Sequence, residues 1–353
     1  TGWSTASIAA AFTVANLLGG VFAFGTGRLL DHVGAQPVMA GTLAAGSALL
    51  WWSSYAESAS AFVALWGAGG SIISAGLLYN ATMAITTRIT PAAERPRAFT
   101  WLTVNGGLAS PIAFPLAGAF VEAWGWRAAI RAMVVFMVVC TLPALAGVRG
   151  DRRRIAESEP ADAPGFGSVR DALSSLLVWR WLFASSAGMA GLVAVQVHHV
   201  GAIEATGVSL GVASTLAGVR GLLSLPGRAA AASLTNRLGI VTALRSVYVV
   251  MTIGTLALVA AGAIGWVWMF VVLTGLAFGS IAPLQGLYAA ELYGQRRIGS
   301  LMGMQQVVVG SMGALGPFVL GLTVDATGGY TALLVIASAL QVLALVSYRD
   351  PSG

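Results

Sequence analysis

Apolar residues form long runs along the chain, and short polar stretches separate these runs. A helix that crosses a bilayer needs about 20 mostly apolar residues, and about eleven runs reach that length. They lie at residues 7–30, 37–55, 60–86, 98–121, 126–148, 179–202, 208–231, 240–262, 265–290, 299–324 and 330–348. The pattern therefore predicts an all-α membrane protein.

The composition supports this prediction and excludes other classes of protein. The chain is 57% hydrophobic and 9% charged, whereas soluble domains contain roughly 25% charged residues. The basic residues are all arginines, a usage that favours a GC-rich bacterial genome. Because the arginines lie in short loops between apolar runs, they fit orientation in a membrane better than binding to nucleic acid.

Alternate loops differ in charge, and this difference predicts the orientation of the chain. One set is rich in arginine: Arg28, Arg88, Arg95, Arg97, Arg149, Arg152, Arg153, Arg154, Arg170, Arg237, Arg296, Arg297 and Arg349. The other set carries Glu57, Glu122, Glu204 and Asp325, with Arg127 as its main basic residue. Arginine-rich loops stay in the cytoplasm. We therefore expect Thr1 outside, and the C-terminus on the cytoplasmic face of a bacterial inner membrane.

One long hydrophilic stretch, residues 149–172, interrupts the apolar pattern. It mixes charges of both signs with proline and glycine, a composition typical of a linker. We therefore expect an N-terminal bundle over residues 1–148, a cytoplasmic linker over 149–172 and a C-terminal bundle over 173–353.

Polar motifs recur at a nearly fixed separation, which indicates an internal duplication. The stretch 27–36, GRLLDHVGAQ, has a weaker copy at 232–239, ASLTNRLG, in which Asp31 and Asn236 are separated by 205 residues. Glycines and an acid within 118–125 recur within 321–328 at a separation of 203. Parallel repeats of this kind characterise one large class of transporters.

The duplicated polar motif resembles the cytoplasmic signature of the major facilitator superfamily, roughly Gly-x-x-x-Asp-Arg-x-Gly-x-Arg. Gly27, Asp31 and Gly34 match the first copy, and Arg237 and Gly239 match the second. The resemblance implies two pseudo-symmetric six-helix bundles. It also implies a conformational latch formed by Gly27, Arg28, Asp31, Gly34, Asn236, Arg237, Gly239 and Glu291.

Within the superfamily the chain is most similar to the monocarboxylate-transporter branch. The stretch "GWSTASIAAAF" resembles the start of that branch's second helix, so we expect the sequence to lack the first of twelve helices. Leu225-Pro226-Gly227-Arg228 resembles the eighth helix of the same branch. An acid precedes this arginine by four residues in the branch, whereas Ser224 occupies the position here.

Two arginines on one predicted helix are candidates for binding an organic anion. Arg220, Ser224 and Arg228 are spaced i, i+4 and i+8, so they share one face of the helix. An ionisable side chain deep in a membrane is costly, which makes it a functional candidate, and a guanidinium fits a carboxylate. In the alternative interpretation, Arg220 pairs with a buried acid or backbone group, and Arg228 reaches the cytoplasmic edge.

Other polar residues within the apolar runs are weaker candidates. His198 and His199 could carry a coupled proton, because histidine titrates near neutral pH. Adjacent residues on a helix point about 100° apart, so at most one of them faces a transport path. The resemblance places further substrate-binding candidates on cavity-lining helices: Tyr79, Asn80, Asn105, Tyr288 and Gln305. Hydrogen bonds between helices explain each of these polar residues equally well.

The sequence thus predicts a monomeric secondary transporter that moves a small organic anion, such as a monocarboxylate, in symport with a proton. Its partners are then the bilayer and a small-molecule substrate, with no nucleic acid. Two alternatives remain open, namely export of hydrophobic compounds or drugs, and a membrane sensor that transports nothing. We expect no enzymatic activity, cofactor or metal site, because no nucleophile–base set or metal-binding motif is present.

Overall fold

The structure, a computed structural model, describes residues 2–78, 81–82, 85–86, 89–90, 95–148, 175–260, 263–293 and 298–349. The described chain is helical and contains no strand. Its helices are α1 Thr5–Val33, α2 Ala35–Ser53, α3 Ala59–Leu77, α4 Arg95–Gly147, α5 Leu176–Glu204, α6 Leu210–Leu238, α7 Ile240–Val259, α8 Ile264–Tyr293, α9 Ile298–Thr327 and α10 Thr331–Ser347. Non-helical angles at Gly125 divide α4 into two helices. The prediction of an all-α chain is confirmed.

Seven stretches of the described helices are long and apolar enough to cross a membrane. They are Thr5–Phe22, Ala59–Leu77, Asn105–Gly147, Leu176–Glu204, Ile240–Val259, Ile264–Tyr288 and Val307–Thr327. Asn105–Gly147 has 43 residues, enough for two passes of about 20 residues each. The chain is therefore a multi-pass membrane protein. The less apolar helices α2 and α6 also occupy predicted spans.

The chain forms two compact units. One comprises residues 1–106 and 116–161, and the other comprises residues 107–115 and 162–353. In the first unit α1 and α2 both pack on α3. In the second unit α6 and α7 pack on α8, while α9 and α10 pack on α5. The predicted linker, 149–172, lies outside the described residues, so the predicted bundle boundaries stay a prediction.

The predicted duplication has a backbone counterpart at two pairs of glycines. Gly34 (φ 88°) links α1 to α2, and Gly239 (φ 75°) links α6 to α7. Each donates its N–H to the carbonyl four residues earlier, at 3.1 Å and 2.9 Å. Gly125 and Gly328, the other pair, have φ of 75° and 71°. Positive φ is unfavourable for residues that have a Cβ atom. Glycine is therefore required at equivalent points of both halves.

Glycines also allow the backbones of α6 and α8 to come into direct contact. A Cβ atom on Gly275 would lie 2.7 Å from the carbonyl oxygen of Arg220, and one on Gly279 would overlap the carbonyl of Ser224. A Cβ on Gly227 of α6 would likewise overlap the carbonyl of Leu276. The small-xxx-small pattern Gly275-x-x-x-Gly279, typical of close helix contacts in membranes, therefore holds α8 against the turn of α6 that carries Arg220.

We predict that Gly279→Ala destabilises the protein, because the new methyl group would meet a backbone carbonyl that cannot rotate away. Overpacking costs typically about 1–3 kcal/mol, which should appear as a lower unfolding temperature in detergent. Gly286→Ala is the matched control, because a Cβ on Gly286 of the same helix meets nothing within 4 Å. An equal effect of both substitutions would contradict the proposed close packing.

Candidate functional site

A buried arginine forms the centre of the candidate site in the second unit. Arg220 of α6 is only 3% exposed. Its Nε donates a hydrogen bond to Oγ1 of Thr274 at 2.7 Å, and its Nη1 donates to Oε1 of Gln196. Its Nη2 is buried and has no hydrogen-bond partner among the described residues. The edge of the guanidinium group is thus anchored at two nitrogens, and the N–H donors of Nη2 are unused among the described residues.

A stripe of α8 surrounds the anchored side of this arginine. Phe270, Thr274 and Phe278 are spaced i, i+4 and i+8, so they lie on one face of the helix. The guanidinium carbon lies 5.6 Å from the ring centre of Phe270 and 5.5 Å from that of Phe278. Aromatic rings attract a cation within about 6 Å. The stripe therefore stabilises the charge without neutralising it.

No carboxylate pairs with Arg220 in the part of the chain that the structure describes. Its partners are neutral, namely a hydroxyl, an amide and two aromatic rings. A buried charge without a counter-ion costs several kcal/mol, and such a group inside a membrane protein usually serves a function. The site therefore retains a full positive charge that suits an anion. The predicted alternative of a buried acidic partner finds no counterpart among the described residues.

His199 belongs to the same cluster. Its Nδ1 bonds to the backbone carbonyl of Gln196 at 2.7 Å, while the side chain of that glutamine accepts from Arg220. The Nε2 atom of His199 is buried and has no partner among the described residues. The ring of Phe114 meets the imidazole edge to face at 5.2 Å. Gln196 thus links the histidine to the arginine.

The adjacent histidine has different partners. Nε2 of His198 donates a hydrogen bond to the carbonyl of Pro317 on α9 at 2.9 Å. Its ring lies 6.3 Å from that of Tyr330, which begins α10. The two histidines therefore point to different neighbours, as expected for successive residues of a helix. Only His199 joins the Arg220 cluster.

The other two residues of the predicted stripe on α6 differ in burial. Ser224 is buried, and its hydroxyl donates to the carbonyl of Gly221 on its own helix at 2.6 Å. Arg228 is half-buried, and no polar partner of it occurs among the described residues. The stripe thus places one arginine in the core and the other nearer the C-terminal end of α6.

The other predicted binding residues either have different hydrogen-bond partners or lie outside the described residues. Tyr288 is fully buried and donates to the carbonyl of Arg349 at 2.7 Å; it follows Thr274 by about 21 Å along α8. Asn105, in the first unit, is exposed and bonds to the carbonyl of Trp101 on its own helix at 2.8 Å. Tyr79, Asn80 and the side chain of Gln305 lie outside the described residues.

The predicted latch is described only in part. Gly34 and Gly239 form the helix links described above, and Asn236 and Arg237 are exposed at the end of α6. Gly27 lies within α1. The side chains of Arg28, Asp31 and Glu291 lie outside the described residues. The role of this set as a latch stays a prediction.

Three groups of the site were not singled out by the sequence pattern. Phe270, Thr274 and Phe278 look like ordinary members of an apolar run, and only the packing of α8 on α6 brings them to Arg220. Their i, i+4, i+8 spacing was visible, but it is common in any buried helix. The described residues contain no group of three His, Cys, Asp or Glu side chains that could hold a metal ion.

Comparisons with known proteins agree on the fold. The family model of the Major Facilitator Superfamily matches residues 1–317. The crystal structure of the nucleoside transporter NupG is similar with a TM-score of 0.77 at 14% identity, covering 98% of this chain and 90% of that one. A bacterial homologue of the iron transporter ferroportin, in an inward-facing state, gives 0.64 at 16% identity, covering 98% and 95%. Among proteins with curated descriptions, none matches.

We predict that Thr274→Val destabilises the protein, because it removes the acceptor for Nε of Arg220 while preserving side-chain volume. An unsatisfied buried donor costs about 1–3 kcal/mol, and more when it is charged, so the unfolding temperature in detergent should fall. Thr252→Val on α7 is the control, because that buried hydroxyl bonds only to the carbonyl of Tyr248 on its own helix, at 2.8 Å. Equal shifts would argue against a special role of Thr274.

Proposed function

Because the chain belongs to the Major Facilitator Superfamily, we propose that it is a secondary transporter that moves a small organic anion, such as a monocarboxylate, together with a proton. Transport in such folds proceeds by alternating access, in which two helical halves rock about a site near the midplane of the bilayer. The choice of an anion rests on one observation, the buried guanidinium of Arg220, which has no carboxylate partner among the described residues.

The geometry of Arg220 favours a compact anion that accepts hydrogen bonds. Thr274 and Gln196 occupy Nε and Nη1, which fixes the plane of the guanidinium group and leaves Nη2 as a donor. A charge-assisted hydrogen bond to a carboxylate is roughly twice as strong as a neutral one. Because Nη2 is closed to solvent here, an anion must reach it in another conformation of the transport cycle. Arg228, half-buried two turns away, would guide the anion between Arg220 and the inner face.

The remaining parts of the proposal follow from the sequence. The chain is assigned to the monocarboxylate-transporter-like branch and to a bacterial inner membrane, with a cytoplasmic C-terminus and a monomeric state. Residues 1–148 and 173–353 would form the two bundles. Gly34 and Gly239 would set the angle of the helix links on the cytoplasmic side, where Arg28, Asp31, Arg237 and Glu291 would hold one access state.

A ligand panel tests the class of substrate. The purified protein is heated in detergent with propionate, lactate and succinate, with the neutral amides of the first two acids, and with lipophilic cations. A ligand at 100 times its dissociation constant stabilises by about 2.7 kcal/mol, which gives a visible shift. We expect stabilisation by one or more carboxylates and none by their amides. Stabilisation by lipophilic cations alone would instead support export of hydrophobic compounds.

We predict that Arg220→Gln weakens carboxylate binding at least about 30-fold. Truncating one partner of a buried, hydrogen-bonded charge pair costs about 2–5 kcal/mol. Arg228→Gln should have a smaller effect, because Arg228 is half-buried. Binding is measured by calorimetry in detergent and uptake in proteoliposomes. Arg180→Gln, at an exposed position of α5 in the same unit, is the control and should change neither. Unchanged affinity in Arg220→Gln would refute the anion role of this residue.

A further inference from the structure

Two unsatisfied buried atoms occur in one cluster of side chains. Among the described residues, Nη2 of Arg220 is a hydrogen-bond donor without an acceptor, and Nε2 of His199 is a ring nitrogen without a partner. Gln196 holds both residues, because its side chain accepts from Arg220 and its backbone carbonyl contacts His199. Buried polar groups are rarely left unpaired. Here two such atoms occur in one cluster, on residues that both contact Gln196. This arrangement indicates a ligand that bonds to both atoms.

The hydrogen bond at Nδ1 fixes the chemical character of Nε2. A backbone carbonyl can only accept, so Nδ1 of His199 must carry the proton that is donated to Gln196. In the neutral imidazole the other nitrogen is then a bare acceptor. The cluster therefore presents one donor, on Arg220, and one acceptor, on His199. A carboxyl group that carries a proton has the complementary pair, a carbonyl oxygen that accepts and a hydroxyl that donates.

We propose that His199 takes up the transported proton, and that Arg220 and His199 together bind one carboxylate and one proton. This inference rests on the anion-binding role proposed for Arg220. A proton from the aqueous phase forms an N–H bond at Nε2, and the carboxylate accepts hydrogen bonds from Nε2–H and from Nη2–H. No covalent bond to carbon forms or breaks. The charge of the cluster is +1 when empty and +1 when loaded, so loading is electroneutral.

The same arrangement explains why neither ion should bind alone. A proton without the anion would place two positive charges in a buried site, where their repulsion is strong. An anion without the proton would bring a carboxylate oxygen against the lone pair of Nε2, two acceptors with no hydrogen between them. Each ion therefore improves the affinity for the other, and this coupling is reciprocal.

The surroundings of the two histidines separate their roles. In the described chain the charged or titratable groups that act on His199 are Arg220 of α6 and His198 of its own helix. The other helices that pack on α5 are α7 to α10. In their described parts, none of them places a carboxylate that acts on His199. Asp325 of α9 acts on His198 instead. Because Nε2 of His198 is occupied by the carbonyl of Pro317, that histidine is a structural residue of the α5–α9 contact.

Proton uptake on ligand binding tests the inference. A carboxylate that stabilises the protein in the panel, such as propionate or lactate, is added at matched neutral pH to lightly buffered, purified protein with a pH indicator. We expect the wild type to take up about one proton per bound anion. His199→Asn retains a donor near Nδ1 but lacks the Nε2 acceptor, so its proton uptake should fall close to zero. In proteoliposomes this variant should lose accumulation of the anion driven by a pH gradient.

A complementary variant leaves His199 untouched. The chain has 3 histidines, so His32→Gln combined with His198→Gln makes His199 the only one. This protein should retain proton uptake of about one per anion, and loss of uptake there would overturn the inference. Normal uptake in a folded His199→Asn protein would overturn it as well. If the wild type binds carboxylate without taking up a proton, the proton-binding role of His199 is refuted, whereas the anion-binding role of Arg220 is supported. Wild type that binds no carboxylate refutes the proposed function itself.

Discussion

The arrangement of the second unit depends on keeping one positive charge inside an apolar environment. A guanidinium group tolerates burial when its N–H groups are bonded and its faces are covered. At Arg220 the bonds come from Thr274 and Gln196, and the covering rings come from Phe270 and Phe278. Neutral partners solvate the charge and do not cancel it. A carboxylate in their place would neutralise the arginine and remove its attraction for another anion.

Close packing of α6 on α8 is the second requirement. Thr274 reaches Nε of Arg220 only because Gly275 and Gly279 let the two backbones approach. The equivalent pair in the first unit, α1 and α3, packs with glycines in the same way, and a Cβ on Gly70 would lie 3.0 Å from that of Ala15. Ala15 precedes Arg220 by the 205-residue separation of the duplicated motif. The helix pairing is duplicated, whereas the position equivalent to Arg220 is the neutral Ala15.

In the proposed transporter, the second half therefore supplies the charged part of the site. The branch that the sequence resembles has an acid at the position of Ser224, near its arginine. Here the position is occupied by Ser224, whose hydroxyl bonds within its own helix. This position therefore provides no carboxylate that could carry a proton. In our proposal the proton-binding group lies on α5 instead, where Gln196 places His199 beside Arg220. The proposal thus assigns proton binding to a different residue and a different helix from those of the branch.

The sequence alone determined the class of the protein. Apolar runs of membrane-spanning length give the helices, because the bilayer imposes both length and polarity on them. The duplicated glycines were visible as well, because positive φ restricts residue type at Gly34 and Gly239. Arg220 stood out because charge is rare in such segments. Each of these features is local, since it depends on single residues or on the period of one helix.

The residues that surround Arg220 follow from the packing of the folded chain and not from local sequence patterns. Thr274 follows it by 54 residues and Gln196 precedes it by 24, and no pattern within one helix predicts which face meets another helix. In the sequence, His198 and His199 are equivalent candidates for carrying a proton. Packing separated them, because rotation about α5 turns one ring to Pro317 and the other to the arginine. Helix rotation and contact are set by the sum of many small packing terms, which is why they emerge only in the folded chain.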